Sequence, residues 1–398
     1  MKIVQINAVY QRGSTGRTVM ELHEALLAQG HESYVFVAQR HLPDRNVYTV
    51  GSPVGWKLHG LLSRLTGLQG YFSHFATWRL LRRLRDIRPD AVHLHNLHGN
   101  YINLPMLLRH FKTNNIPTLI TLHDCWFYTG KCCHYTQDHC SRWQDACGKC
   151  PAVHKWNKSW FWDRSAKMLA DKKKWFGALG NLTVVGVSDW ITNEARRSFL
   201  ASTARIIRIY NWVDLSIFQP LAYEKPQRPR VLSVAHGWSE QKGLADIIRI
   251  AQRMPHADFV LVGGMPRSPA FPPNVKPVGS IHDVRELAGY YARADVFLSL
   301  SVQETFGKVI AEALSCGTPV VVYDATAMPE LVAEGRGAVV PLKDWEKAAE
   351  AVQEILQKGK EAYTRSCRAF ALQAFDKERL IAEQISDYQA LLAKHAVL

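Results

Sequence analysis

The chain contains no run of about 18 apolar residues, so no helix is expected to span a membrane. Its opening, Met1-Lys2-Ile3-Val4-Gln5-Ile6, has no long apolar stretch before a small-residue cleavage site. It reads directly as a strand, and a chain that stays in the cytosol is expected. There is no internal repeat and no low-complexity segment, which excludes collagen-like, coiled-coil and disordered-tail classes. No helix-turn-helix, zinc-finger or RNA-binding signature is present, so nucleic acid is not an expected partner. Nor is there an Asp-x-Asp pair. What remains is ordinary globular material: 398 residues, 47% hydrophobic and 21% charged. That length predicts two or three domains.

Acidic residues are scarce in one half only. Lys and Arg number 49 against 35 Asp and Glu, a net of +14. Residues 1–208 hold 28 basic and 13 acidic side chains, whereas 209–398 hold 21 and 22. The whole excess therefore sits in the first half, which predicts that one domain faces an anionic partner.

The organisation reads as α/β. A strand at Ile3–Asn7 leads into a loop, Gln11–Arg17, then a helix carrying Val19, Leu22 and Leu26, then a strand at Ser33–Ala38. Strand, glycine loop, helix, strand is the opening of a doubly wound sheet. Further strands are predicted at Ala91–His95, Thr118–Leu122 and Val184–Val187, the last of this half. A second alternating set begins near Arg230, with strands at Val231–Ala235, Phe259–Val262, Val296–Leu300 and Pro319–Val322. The expected boundaries are a first domain over 1–208 with a Cys-rich insertion at 125–151, a linker over 209–229 marked by Pro226 and Pro229, a second domain over 230–375, and a helix over 376–398 packing back toward the first domain. Two doubly wound domains facing a central cleft suit a nucleotide-linked small substrate.

The densest chemistry lies in Gln303-Glu304-Thr305-Phe306-Gly307-Lys308 and the helix that follows to Gly317. Gly307 allows a close backbone approach. The free N–H groups of a first helical turn favour a phosphate. Glu304 in the loop is placed to hold sugar hydroxyls, and Glu312, two turns into the helix, a ribose diol. Two glutamates eight apart, Phe-Gly between them and Cys-Gly-Thr-Pro-Val-Val after, resemble the signature of family 4 glycosyltransferases, which are retaining enzymes of the two-domain GT-B fold. Asn211, Asp214, Phe218 and Pro220 resemble the family's interdomain segment, with Trp212 where Gly is usual. Gly13–Arg17, Gly16 included, resembles its N-terminal phosphate-side loop. Val92–Gly99 and Thr121–Trp126 resemble the branch that builds bacterial capsule, exopolysaccharide or lipopolysaccharide. The resemblance implies a nucleoside-diphosphate-sugar donor held at Gly16, Lys242, Thr305, Phe306, Gly307, Lys308 and Glu312, and no catalytic metal. Lys242 matches the family's diphosphate-binding Lys. The Arg usual upstream of it is replaced by His236-Gly237, and Lys308 is a candidate to supply that charge. The resemblance also puts an active-site His at His95 and at His123, to orient the sugar and stabilise charge, with Glu304 beside them as the third catalytic candidate. His93 reads as structural, and Asp124 as a candidate base toward the acceptor.

Six of eight cysteines fall within 125–150. Cys147-Gly148-Lys149-Cys150 with two earlier cysteines fits a tetrahedral thiolate site for structural zinc. The expected ligands are Cys132, Cys140, Cys147 and Cys150, with Cys133, His134 and His139 as substitutes. Unligated thiols or disulfides are the other readings. Two basic, aromatic stretches, Trp56–Arg88 and Trp156–Phe176, read either as amphipathic helices packed inward or as a docking surface at an anionic membrane. Together these features predict a retaining hexosyltransferase, cytoplasmic and peripheral at the inner face of the plasma membrane, acting on a lipid-linked or oligosaccharide acceptor. The alternatives are a sugar-nucleotide epimerase of the same fold and a non-catalytic binding subunit of a glycan assembly.

Overall fold

The computed structural model describes all residues except 41, 223–226, 266–270, 334 and 398. Pro226 of the expected linker lies outside the described residues. The chain divides into two units, one of Met1–Ile209 together with the residues from Ile381 on, the other Tyr210–Leu380.

The first unit runs β1 (Lys2–Tyr10), α1 (Gly13–Ala28), β2 (Glu32–Arg40), β3 (Val47–Thr49), α2 (Pro53–Thr66), α3 (His74–Ile87), β4 (Ala91–Leu94), α4 (Leu104–Thr113), β5 (Thr118–Leu122), α5 (Ser165–Phe176), β6 (Leu182–Gly186), α6 (Asp189–Arg196) and β7 (Arg205–Arg208). The second runs β8 (Arg230–Gly237), α7 (Leu244–Arg253), β9 (Asp258–Gly264), β10 (Val275–Gly279), α8 (Val284–Ala292), β11 (Val296–Ser299), α9 (Lys308–Ser315), β12 (Val320–Tyr323), α10 (Met328–Leu331), β13 (Gly337–Val340), α11 (Trp345–Lys358) and α12 (Glu361–Ala374). A last helix, α13 (Lys377–Val397), crosses from the second unit into the first.

Both sheets are parallel. Their orders are β3-β2-β1-β4-β5-β6-β7 and β10-β9-β8-β11-β12-β13. The central strands, Thr118–Leu122, Leu182–Gly186, Val296–Ser299 and Val320–Tyr323, are buried at every position. Continuous apolar runs of this kind are what a sheet covered on both faces requires. Each order reverses once, at β1/β4 in the first unit and at β8/β11 in the second, and such switch points open a crevice at the carboxyl ends of the strands.

The four strands absent from the sequence reading, β3, β7, β10 and β13, are the four sheet edges. An edge strand is paired on one side only, so it is short and mixed in polarity. Pro277 sits in β10, where an edge tolerates its missing N–H. Val184–Val187 is therefore not the last strand of its half, because β7 follows it. The expected loop Gln11–Arg17 is helical from Gly13 onward. Between β5 and α5 the only regular elements among the described residues are two short 3₁₀ turns, Thr136–Asp138 and Arg142–Gln144.

Candidate active site

In the second unit the loop after β8 and the loop after β11 leave the sheet side by side, because the strand order reverses between them. Gly243 is what lets them touch. Its φ is +72°, and a Cβ added there would lie 2.3 Å from the Leu300 carbonyl oxygen. The Val302 N–H donates to the Gln241 carbonyl at 3.0 Å, stitching the loops together. The half-buried Lys242 Nζ then donates to the Glu304 carboxylate. Glu304 is held by its backbone as well. Its N–H donates to Thr326 Oγ1 at 2.8 Å and its carbonyl accepts the Ala327 N–H at 3.2 Å. Thr326 has φ +51°. For a β-branched residue that is a strained conformation, of the kind that persists only where surrounding contacts impose it. No sequence motif had pointed to Thr326.

Gly307 caps α9 with φ +88° and no side-chain hydrogen bond to the first turn. Lys308 opens the helix, half-buried, and Thr305 is half-buried in the loop. Phe306 is otherwise placed: it is 2% exposed and packs against Tyr210 and Phe375 at centroid distances of 5.6 and 5.8 Å. Its ring belongs to the core, which leaves only its backbone for a ligand. Glu312 is buried, with a carboxylate oxygen accepting the Tyr291 hydroxyl at 3.0 Å.

In the first unit His95 follows β4 and His123 follows β5. His95 Nδ1 and His123 Nε2 are 3.0 Å apart. His95 is almost fully buried, and its Nε2 has no hydrogen-bond partner among the described residues. Burial, then the neighbouring His93 and His123, hold its pKa well below the ordinary histidine value, so it is neutral at pH 7. One proton is shared between His95 Nδ1 and His123 Nε2, and the tautomers of the two rings set which of them donates. His93 is structural: its ring nitrogens meet the Tyr388 hydroxyl at 2.6 Å and Thr121 Oγ1 at 2.7 Å. A second pair lies alongside. His98 Nε2 is 2.7 Å from Asp124 Oδ2, and Asp124 Oδ1 accepts the Trp126 N–H at 2.8 Å. Burial alone would raise the Asp124 pKa, but His98 and the Trp126 N–H bring it below the usual carboxylate value. Gly16 is in the first turn of α1, where a Cβ would come within 3.3 Å of the end of β1. It brings that turn close to the strand.

Cys132, Cys140, Cys147 and Cys150 line one cavity of about 10 Å³. All are free thiols. The Cys132 thiol is hydrogen-bonded to Cys150, which chiefly for that reason is held below the ordinary thiol pKa. Among the described residues, the potential metal ligands gathered within 4.8 Å of one another are instead His98, Asp124 and Cys133. No helix among the described residues is long and apolar enough to cross a membrane.

Known proteins resemble the chain over its whole length. Over 98% of its length the chain aligns, at 24% identity, with the whole of the putative colanic acid biosynthesis glycosyl transferase WcaC of Escherichia coli K12. Sucrose-phosphate synthase of Thermosynechococcus elongatus superposes with a TM-score of 0.74 at 19% identity, covering 99% of this chain and 100% of that one. The UDP-glucose complex of Anabaena Alr3699/HepE superposes with a TM-score of 0.65 at 18% identity, covering 97% and 100%. A family model described as glycosyl transferases group 1 matches residues 228–358, and the model of Glycosyltransferase Family 4 matches residues 15–217. With two Rossmann-like parallel sheets of the GT-B type and more than half its length matched by that model, the chain belongs to glycosyltransferase family 4.

Proposed function

We propose that this glycosyltransferase moves a hexose from a nucleoside-diphosphate sugar, with retention at the anomeric carbon, onto a lipid-linked cell-surface glycan at the inner face of the membrane. The observation that carries the reading is the Lys242–Glu304 pair, set at the switch point of the second sheet beside the uncapped N-terminus of α9. A cation, a carboxylate and a helix N-terminus are the groups that a sugar diphosphate needs. The UDP-glucose complex of the Anabaena neighbour supports the donor class. The name of the Escherichia coli relative supports an exopolysaccharide product.

In this reading Lys242 and the first turn of α9 hold the diphosphate as it leaves, and Lys308 adds charge where the family's Arg is absent. Glu304, released from Lys242 by the incoming phosphate, takes the sugar hydroxyls. Glu312, buried on α9 with a carboxylate oxygen on Tyr291, holds the ribose. His123, paired with His95, orients the sugar. The leaving phosphate takes the acceptor proton on the same face, so no residue acts as a covalent nucleophile. Structural zinc at the four cysteines belongs to the same proposal. The shared cavity supports it, and a metal would draw each sulfur to about 2.3 Å from itself.

Calorimetry with UDP-, GDP-, ADP- and CMP-linked sugars tests the donor assignment. One donor should bind, and Lys242→Ala should weaken it about 10- to 100-fold, the range of a charge-assisted hydrogen bond. Unchanged affinity in that variant refutes the assignment.

A further inference from the structure

Two helices of the first unit carry apolar side chains out into solvent. On α2, Val54, Leu58 and Leu61 recur at i, i+4 and i+7 and are 76%, 55% and 41% exposed. On α3, Thr77, Leu80 and Leu84 face inward. The opposite stripe is Phe75, Trp78, Arg79 and Arg82, with Phe75 70% and Trp78 45% exposed. Single exposed apolar residues are ordinary, but a stripe on each of two neighbouring helices marks a surface with a use.

Both helices line a cavity of about 750 Å³. Part of its apolar lining is recessed, with Trp56, Leu62 and Phe72 half-buried and Leu80 buried, while Leu58 and Phe75 line it from exposed positions, as do the arginines Arg40, Arg79 and Arg83. Among the described residues no Asp or Glu lines it. An adjoining hollow of about 380 Å³ shares Arg79 and Arg83 and adds Arg82, Trp78 and one carboxylate, Asp86. The Arg83 guanidinium sits 4.3 Å from the Tyr48 ring centroid. None of Arg79, Arg82 and Arg83 is ion-paired among the described residues. A small soluble anion would leave the apolar lining wet, and a neutral apolar ligand would leave the guanidiniums unanswered. The occupant that satisfies both has an apolar chain and an anionic head.

We propose that the α2–α3 hollow binds one anionic phospholipid of the membrane, its acyl chain along Trp56, Leu62 and Phe72 and its phosphate on Arg79 and Arg83. The exposed stripes then lie in the headgroup boundary around it, and the basic excess of residues 1–208 supplies the longer-range attraction. This rests on the membrane-docking part of the function proposed above, and names the site that performs it.

The test uses the full chain and vesicles of phosphatidylcholine with or without phosphatidylglycerol. Wild type should float with the anionic vesicles and hardly with the neutral ones. Arg79→Gln/Arg83→Gln should bind the anionic vesicles about 30-fold more weakly, from two basic side chains at such a surface. Phe75→Asp, a change at an exposed position, should also weaken binding. Phosphatidylglycerol brominated on its chains should quench tryptophan fluorescence, and Trp56→Phe should lose part of that quenching. Wild-type binding by both surface variants overturns the proposal, and so does quenching unaltered in Trp56→Phe. Wild type that floats with neither vesicle overturns it together with membrane docking, while nucleotide-sugar binding by calorimetry, which these variants should keep, reports separately on the transferase reading.

Discussion

His59 is the clearest case of a side chain whose neighbours dictate its protonation. Its Nε2 accepts the Gly70 N–H at 3.2 Å, and its Nδ1 is 2.7 Å from the Ser73 hydroxyl. A proton on Nε2 would face that N–H directly. Burial, then the nearby His74, lower its pKa to about 4. The folded value lies below the unfolded one near 6.5, so the unfolded chain binds the extra proton. The contribution to stability is therefore complete above about pH 6.5 and is lost as pH falls toward 4, about 3 kcal/mol in all. Urea unfolding at pH 7.5 and pH 5 should show this loss, and His59→Gln should reduce it. An unaltered pH dependence in that variant would show that the imidazole is free to charge in the fold. Lys242 and Glu304 differ in kind, being half-buried and wet. Their pairing contributes little to stability, and under the proposed function each is held ready for the donor that separates them.

At the scale of elements, α2 shows how local chemistry sets a helix. Ser52 Oγ accepts the Gly55 N–H at 3.3 Å, Pro53 occupies the first turn, and Gly67 closes the helix in the left-handed region with its N–H on the Ser63 carbonyl. The cysteine-rich segment is the opposite case. Residues 123–164 have almost no regular structure, so side chains must hold them. Lys172, fully buried on α5, stacks on Trp126 and donates to the Trp126 and Thr129 carbonyls. Lys131 donates to the Val153 carbonyl at 2.7 Å. If zinc adds to this, protein purified without chelator should carry about one zinc per chain by elemental analysis. Cys147→Ser should lose it and Cys133→Ser should keep it. The reverse pattern would move the metal to His98, Asp124 and Cys133, and absence of zinc would leave the segment to the hydrogen bonds above.

At the scale of the molecule, the chain returns to its beginning. From Ile381 on, α13 belongs to the first unit. Ile381, Ile385, Tyr388 and Leu391 are at most 4% exposed. Asn181 donates to the Leu391 carbonyl at 2.8 Å, Arg205 pairs with Asp387 at 3.1 Å, and Tyr388 meets His93. Truncation after residue 380 would bare that face and take from His93 Nδ1 its Tyr388 partner, leaving only Thr121 on the other ring nitrogen. The expected cost is about 5 kcal/mol or more, comparable with the whole stability of a domain. Calorimetric unfolding should lose the transition of the first unit, whereas Tyr388→Phe should cost only about 1–2 kcal/mol. A truncated chain with an undisturbed thermogram would show that α13 is dispensable.

The parallel α/β class and the order of the inner strands were legible in the chain itself, because the apolar periodicity of a doubly buried sheet is local. The edge strands were not, because half of what holds them is a neighbour from elsewhere in the chain. Tertiary structure alone decided which loops meet. Lys242 and Glu304 are 62 residues apart and touch because the sheet order reverses between β8 and β11. His95 and His123 meet because β4 and β5 are adjacent. The Phe306 ring went inward for the same reason: a motif states which residues stand near a site, and only the packing of the neighbouring elements determines which of them still face it.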